Sequence, residues 1–152
     1  MNTLPLMMDI EATLVSTPLN FRICIDDKTL YDEQVSTAHK MIEVEIPDSH
    51  DYSAFTLKLE LYGKTDNHSI TEDGVVMKTA SVVINSLSID GLELINGDGN
   101  VSEVVSQEMM YTHDFNGTSE AVSEIFTHHM GCNGVQSLDM YTPMHMWLYE
   151  KI

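Results

Sequence analysis

Residues 55–62 read FTLKLELY, the most regular alternation in the chain. Every second residue of this stretch is large and apolar: Phe55, Leu57, Leu59 and Leu61. Successive side chains of a β-strand point to opposite faces, so the pattern predicts a strand with one face in the core and the other in water. Such half-buried strands are typical of antiparallel sheets.

Shorter alternations lie on both sides of this strand. Residues 10–14 and 42–46 each predict a short strand, and residues 20–35 predict a hairpin that turns at Asp26–Asp27. The extended stretch 75–90 changes phase, because Val82 and Ile84 share one parity whereas Leu87 and Ile89 share the other. We therefore expect a β-bulge or a change of sheet near Asn85–Ser86.

The last third of the chain predicts a helix over residues 119–130 and a long strand from residue 138 to 149. The helix rests on an apolar stripe at helical spacing: Val122, Ile125, Phe126 and Met130. A shorter helix is expected within residues 101–109, where Asn100 and Glu103 have the spacing of a capping box. The predicted C-terminal strand is apolar or aromatic on both faces, so it is either enclosed in the domain or offers one face to a partner.

About eight short strands with one or two inserted helices predict an all-β fold, a two-sheet antiparallel β-sandwich of the jelly-roll type. Within it, residues 1–19 are expected to form an apolar N-terminal arm and a first strand, and residues 20–152 a single sandwich domain. The 152-residue length suits one domain that needs no disulfide.

The charge of the chain limits its partners. Seven Lys and Arg stand against 24 Asp and Glu, which gives a formal net charge of −17. Such a surface repels phosphate backbones and anionic lipids, so we expect no direct nucleic-acid or membrane partner. The N-terminal residues lack the pattern of a signal peptide, and we expect synthesis in the cytoplasm of a host cell.

Motifs for catalysis are missing from the sequence. Seven histidines are present, but the adjacent His128 and His129 point about 100° apart on a helix and make a poor chelate. There is no Gly-x-Ser-x-Gly and no glycine-rich phosphate loop with a lysine. We predict that the protein is not an enzyme and needs no catalytic cofactor.

Calcium is the one cofactor that the sequence suggests. Asn96, Asp98 and Asn100 alternate as in the oxygen-rich beginning of a calcium loop. The glycine and the distant glutamate of an EF-hand are out of register, and a polar turn that ends in a helix cap explains the same residues. Both interpretations stay open.

Two sets of residues are candidates for contact with a partner or a sugar. The first is the aromatic face of the predicted C-terminal strand: Tyr141, His145, Trp147 and Tyr149. Aromatic faces stack on sugar rings and also collect at protein interfaces, although a core position explains Trp147 equally well. The second set lies in the N-terminal arm, which we expect to contact another subunit: Leu4, Leu6, Met7 and Met8.

Several short segments carry a resemblance to known proteins: YGKT (62–65), SLSIDGLEL (86–94), YTHDFNG (111–117), MGCNG (130–134) and TPMHMWLYEKI (142–152). Across residues 20–152 the chain resembles small jelly-roll proteins of tailed phages, especially marine ones. Their architecture is similar to that of calcium-dependent carbohydrate-binding modules of the xylan-binding type. The resemblance implies a virion component or a carbohydrate-binding-like module, but this chain lacks a clear match to the acidic calcium cluster of the polysaccharide-binding families.

Two functional hypotheses follow. The first is a non-enzymatic structural or accessory protein of a phage virion, in the capsid, neck or tail, whose partners are other virion proteins or copies of itself. The alternative is a soluble carbohydrate-binding module in which Tyr141, Trp147 and Tyr149 contact sugar, with or without calcium.

Overall fold

The structure is a computed structural model that describes residues 2–15, 18–64, 69–96, 101–113, 122–125, 129–131 and 133–151. Within these ranges the strands are β1 Asn2–Thr13, β2 Leu19–Ile25, β3 Lys28–Val35, β4 His39–Asp48, β5 Ser53–Tyr62, β6 Ser69–Glu72, β7 Val75–Thr79, β8 Ser81–Ile89, β9 Leu92–Ile95, β10 Met110–His113, β11 Val122–Ile125, β12 His129–Met130 and β13 Gly134–Thr142. The helices are α1 Glu103–Glu108 and α2 Met144–Lys151.

The strands form two main antiparallel sheets and a separate hairpin. One sheet has the order β12-β8-β1-β4, with β9 also paired to β8, and the other has the order β11-β10-β13-β5-β2-β3. Strands β6 and β7 pair with each other. The predicted fold class, an all-β two-sheet sandwich of the jelly-roll type with short inserted helices, is confirmed.

The core lies between the two sheets. The alternation of FTLKLELY is realised in β5, where Leu57, Leu59 and Leu61 are fully buried. From the five-stranded sheet, Leu6 and Met8 of β1 are equally buried and belong to the same core. Apolar residues from alternate positions of both sheets therefore remove each other from water, which is the main favourable contribution to folding.

The N-terminal residues form an inner strand of this sandwich. β1 pairs with β4 along one edge and with β8 along the other. Leu4 is partly buried against the core, Leu6 and Met8 are fully buried, and Met7 points outward with 42% exposed. The side chains of Leu6 and Met8 are covered by their own domain, so they are not available to a partner. The contact of this arm with another subunit stays a prediction.

The phase shift in β8 is a β-bulge, as predicted. Asp9 of β1 pairs with Ser86, but the next residue, Ile10, pairs with Ile84. Asn85 is thus the extra residue on β8. The bulge lets both halves of the strand bury their apolar residues, namely Val82, Ile84, Leu87 and Ile89.

The predicted hairpin over residues 20–35 is confirmed as β2 and β3. Its turn at Asp26–Asp27 places Asp26 in the left-handed region, with φ of 51°. The Asp26 backbone N–H donates to the Thr56 carbonyl at 2.9 Å, and its carboxylate accepts from the Thr56 N–H at 2.9 Å. These bonds tie the turn to β5.

The prediction of one long strand from residue 138 to 149 is wrong. β13 ends at Thr142, and after Pro143 the chain forms α2. Met144, Trp147 and Leu148 are all buried and have i, i+3, i+4 spacing, so one stripe of α2 packs against the core. The apparent alternation across Pro143 concealed this helical spacing.

The predicted helix over residues 119–130 is also wrong where the structure describes it. Val122–Ile125 is β11, which pairs with β10, and His129–Met130 is β12, which pairs with β8. Both segments satisfy backbone groups along the edge of an existing strand, and this tertiary pairing outweighs the local helical spacing. Residues 119–121 and 126–128 of the predicted helix lie outside the described residues.

The short helix expected within residues 101–109 is confirmed as α1, but its cap differs from the prediction. The Ser102 hydroxyl oxygen accepts a hydrogen bond from the Val105 N–H at 3.3 Å. Asn100, the expected cap, lies outside the described residues. Neither helix in the described part of the chain has the length and apolar character that a membrane span requires.

Candidate functional site

A pocket of about 480 Å³ lies beside the part of β13 that extends past Met110, the first residue of β10. It is formed by the beginning of β5, the end of β13 and both helices. The lining residues are Tyr52, Ala54, Glu108, Asp139, Met140, Tyr141 and Trp147. The register of the sheet brings the two strands together here, since Tyr141 is the partner of Ala54.

Two tyrosines form the aromatic part of the pocket. The ring centroids of Tyr52 and Tyr141 lie 5.5 Å apart, with an angle of 35° between the ring planes. Tyr52 is 74% exposed. Tyr141 is half-buried and alternates with the buried residues Met140 and Thr142, so it points away from the core. The pair presents aromatic surface to the solvent.

The Tyr141 ring is held by the C-terminal helix. Its hydroxyl donates a hydrogen bond to the carboxylate of Glu150 on α2. This hydrogen bond, assisted by desolvation and by the negative charge of Glu150, raises the pKa of Tyr141 to about 12. The phenol therefore stays protonated at neutral pH and keeps its donor role toward Glu150.

Tyr52 follows a loop that is tied to the end of β13. The Thr142 hydroxyl donates to the Asp51 carbonyl at 2.7 Å, and the Asp51 N–H donates to the Ser49 hydroxyl at 3.1 Å. The Asp48 carboxylate accepts from the backbone N–H of Met144, the first residue of α2, at 2.9 Å. These contacts fix the chain just before Tyr52 relative to Tyr141.

Carboxylates supply the polar part of the lining. Asp139 points to the same side of β13 as Tyr141, and its Oδ1 accepts a hydrogen bond from the Thr56 hydroxyl at 2.8 Å. Glu108, the last residue of α1, is the second carboxylate of the lining. Both acidic side chains are exposed, so a ligand hydroxyl or amine can reach them.

The structure separates the four aromatic residues of the predicted C-terminal face. Tyr141 lies in the pocket, whereas Trp147 contributes to the lining from the core and is only 1% exposed. His145 and Tyr149 are exposed on α2 and are not lining residues. The four do not form a flat row, because a helix replaces the strand that would have aligned them.

Of the site residues that the sequence analysis missed, which include Glu108 and Asp139, Tyr52 is the aromatic one. It stands alone after the polar residues 48–51, outside any apolar alternation. Only the pairing of β5 with β13 brings it to Tyr141. The other predicted contact residues, Leu4, Leu6, Met7 and Met8, belong to β1 in the opposite sheet and are not part of this pocket.

The described residues do not fit a calcium site. Among them, no three His, Cys, Asp or Glu side chains come together in a way that would hold a metal ion. Asn96 follows β9, and the other two predicted ligands, Asp98 and Asn100, lie outside the described residues. We therefore derive no role for calcium at the pocket.

Comparison with solved structures finds the same fold in carbohydrate-binding modules. The chain is similar to vCBM60 in complex with galactobiose, with 10% identity, 88% of this chain and 96% of that chain covered, and a TM-score of 0.50. A selenomethionine form of vCBM60 gives 8% identity, 89% coverage of both chains and a TM-score of 0.53. The description of that structure names circular permutation as an evolutionary link between two families of calcium-dependent carbohydrate-binding modules. No family model and no curated protein matches the chain.

Proposed function

We propose that this protein is a carbohydrate-binding module and that its sugar site is the pocket at Tyr52 and Tyr141. The tyrosine pair, with Tyr52 exposed and Tyr141 half-buried, lies beside two carboxylates, and this is the observation that carries the proposal. The fold shared with vCBM60, whose structure contains galactobiose, supports it.

The chemistry of the pocket suits a sugar. The C–H faces of a pyranose ring are apolar and stack on aromatic rings, while its hydroxyls donate to carboxylates and to tyrosine hydroxyl oxygens. Tyr52 and Tyr141 supply the aromatic surface, and Glu108 and Asp139 supply acceptors at its border. A volume of about 480 Å³ lies in the usual range of small-molecule sites, roughly 300–1,000 Å³.

Two of the sequence observations behind the virion hypothesis have explanations within the domain. The two-sided C-terminal segment is β13 followed by α2, whose Trp147 is in the core. The apolar N-terminal segment is an inner strand with Leu6 and Met8 fully buried. A location in a virion, with virion proteins as partners, stays a prediction that no feature of the fold favours. The absence of enzymatic activity likewise stays a prediction.

Calcium dependence belongs to the proposal because the neighbouring modules are described as calcium-dependent. The prediction for Asn96, Asp98 and Asn100 stays open, since most of that loop is outside the described residues. Sugar binding should therefore be measured both with calcium and with a chelator. Loss of binding on chelation would assign the ion a role, while unchanged binding would leave the protein side chains as the whole site.

The decisive experiment is a glycan array followed by isothermal titration calorimetry with the best ligand. Tyr52→Ala and Tyr141→Ala should each weaken binding about two- to twelvefold, because aromatic contacts of this kind contribute about 0.5–1.5 kcal/mol. Tyr149→Ala is the matched control, since that tyrosine is 75% exposed on α2 outside the pocket. Full binding by the Tyr52→Ala/Tyr141→Ala double variant, or no glycan bound by the wild type, would contradict the proposal.

A further inference from the structure

The outer face of the five-stranded sheet carries two exposed methionines. Met7 of β1 is 42% exposed and Met41 of β4 is 54% exposed. Both point away from the core, since the next residue of each strand is buried. The register pairs Met7 with Glu43 and Met41 with Asp9, so the two methionines are diagonal neighbours on adjacent strands. They give this face an apolar centre.

Acidic side chains surround the two methionines. Glu43 occupies the next outward position of β4 after Met41, and Glu93 of β9 lies across Ser88 from Met7. The carboxylates at outward positions of these strands are Asp9, Glu11, Glu43, Glu45 and Glu93. Together with the two methionines they make up a surface that we call the methionine face.

The positive charge on this surface is small. Among the described residues, no Lys or Arg occupies an outward position of β1, β4, β8, β9 or β12. Lys40 of β4 has the other orientation, and its Nζ lies 4.0 Å from the carboxylate of Glu33 on β3. The basic side chains on the methionine face are His39 and His129, and His39 Nε2 lies 2.5 Å from Asp9 Oδ1. The face as a whole is therefore acidic.

The outer face of the six-stranded sheet has a different charge balance. It carries Arg22 of β2 and Lys58 of β5. Arg22 Nε donates to the Glu60 carboxylate at 2.7 Å, and the guanidinium lies 3.9 Å from the Asp32 carboxylate. Acidic residues there are balanced by cations of the same sheet. The combination of an apolar centre with an excess of carboxylates is thus particular to the methionine face.

These properties define the chemistry of a partner. Methionine side chains adapt to varied apolar contacts and are common at binding surfaces. Opposite charges across an interface favour association, whereas like charges oppose it. A second copy of the chain would bring the same carboxylates face to face on a protein of net charge −17. The complementary surface is therefore basic, with large apolar side chains at its centre.

The backbone of the sheet favours a helix as the binding element. β1 is hydrogen-bonded to β4 on one side and to β8 on the other, so this face offers side chains alone. An extended segment laid across it would gain no backbone hydrogen bonds, whereas a helix satisfies most of its own backbone groups. Helices also pack on the faces of sheets through an apolar stripe.

We propose that the methionine face binds a basic amphipathic helix of another protein. Apolar side chains of the helix would cover Met7 and Met41, and its lysines or arginines would pair with the surrounding carboxylates. The face shares no residue with the pocket that we propose for sugar. The inference is therefore independent of the proposed function and would stand if no sugar were bound.

The test is calorimetric titration of the full chain, at low salt, with two synthetic helical peptides. The first has a stripe of leucines and carries lysines on the rest of its surface. In the second, glutamines replace the leucines, so the net charge is the same. The leucine peptide should bind about tenfold more tightly, because it covers the methionines as well as pairing with the carboxylates. Equal binding of the two peptides, or no binding by either, would overturn the inference.

Two double variants locate the binding. Met7→Thr/Met41→Thr introduces residues that suit strands and should weaken the leucine peptide about tenfold without changing the glutamine peptide. Glu11→Gln/Glu43→Gln should weaken both peptides about two- to tenfold, since exposed ion pairs contribute modestly. Urea denaturation shows whether each variant is folded. If the methionine double variant is unstable, Met41→Thr alone, on the edge strand β4, should weaken the leucine peptide in the same direction.

The matched control for charge is Asp27→Asn/Glu72→Gln. It removes the same charge from exposed positions in the turn after β2 and at the end of β6, outside the five-stranded sheet, and should keep the affinity for both peptides. An equal loss in this control and in Glu11→Gln/Glu43→Gln would show general attraction to an acidic chain and would overturn the inference. Sedimentation that reveals a dimer of the wild type, lost in the methionine double variant, would assign the face to self-association and overturn it as well.

Discussion

The Asp48 carboxylate accepts a 2.9 Å hydrogen bond from the backbone N–H of Met144, which lies 96 residues later in the chain. Asp48 is the last residue of β4 in the five-stranded sheet, and Met144 begins α2 directly after β13 of the six-stranded sheet. The same carboxylate oxygen accepts from the Ser49 N–H. One side chain therefore joins the two sheets near the pocket and places a negative charge at the beginning of a helix, where it is favourable.

Asp48→Ala should lower the free energy of unfolding by about 1–3 kcal/mol, because two backbone donors lose a charged acceptor. Asp48→Asn keeps one acceptor oxygen and should lose less. Urea denaturation of the three proteins measures both effects. Equal stability of the alanine variant and the wild type would show that the bond to Met144 contributes nothing.

Trp147→Ala should destabilise the fold by about 3–5 kcal/mol, since it leaves a large cavity where the side chain is only 1% exposed. Tyr149→Ala removes an aromatic ring two residues later and should change stability by no more than about 0.5 kcal/mol. Thermal and urea denaturation of the two variants and the wild type would measure this difference in stability. If Trp147→Ala changed the stability only slightly but abolished sugar binding, Trp147 would be a sugar-contact residue rather than a core residue.

Gly134→Ala should be destabilising by about 1–3 kcal/mol as an overpacking substitution. A Cβ at this position would lie 2.5 Å from the Thr112 carbonyl oxygen and 2.8 Å from His113 Cα, and both are backbone atoms that cannot rotate away. The half-buried Ser137 on the same strand gives a control, because Ser137→Ala adds no atoms. The prediction fails if the two variants have the same midpoint in urea.

The Tyr141–Glu150 hydrogen bond should be visible in a tyrosine titration monitored by absorbance near 295 nm. The pKa of Tyr141 is about 12 in the folded protein, above its ordinary value of 10.0, so the native state holds this proton longer than the unfolded state does. The stability that the folded state gains from this raised pKa is fully present below pH 10 and is lost as the pH rises from about 10 to 12. Glu150→Ala should move this tyrosine back toward pH 10, and Tyr141→Phe should remove its transition. An unchanged titration in both variants would contradict the assignment.

The sequence pattern predicted the fold correctly where large apolar residues at every second position define the buried face of a strand. In β5, four large apolar residues at every second position leave one orientation that buries them all. The bulge at Asn85 was equally predictable, because Val82–Ile84 and Leu87–Ile89 cannot both face the core in an unbroken strand. The hairpin turn at Asp26–Asp27 followed from its acidic residues between two alternations.

Pattern failed where two periods fit the same residues. Met140, Met144 and Leu148 suit an alternating strand interrupted by Pro143, yet Met144, Trp147 and Leu148 suit a helix, and packing against the core selected the helix. Val122 and Ile125 have helical spacing, but the open edge of β10 offered backbone partners that a lone helix would leave unpaired. Such choices depend on strands that are distant in sequence.

The candidate site was only half predictable for the same reason. Tyr141 stood out beside other aromatic residues, whereas Tyr52 and Glu108 carry no local signal. They reach Tyr141 through the register of β5 with β13 and the position of α1 after β9. A site assembled from three separate segments appears only once their pairing is known.

The central position of β1 bears on how the chain folds as it is synthesised. Both of its edges can be paired only when β4 and β8 exist, and β8 begins about 70 residues after β1 ends. At the usual translation speed of about 5–20 residues per second, the edge of β1 that pairs with β8 stays without its partner on the ribosome for roughly 4–14 s. During that interval the nascent chain displays an apolar strand with a free edge, a natural substrate for chaperones that bind extended segments.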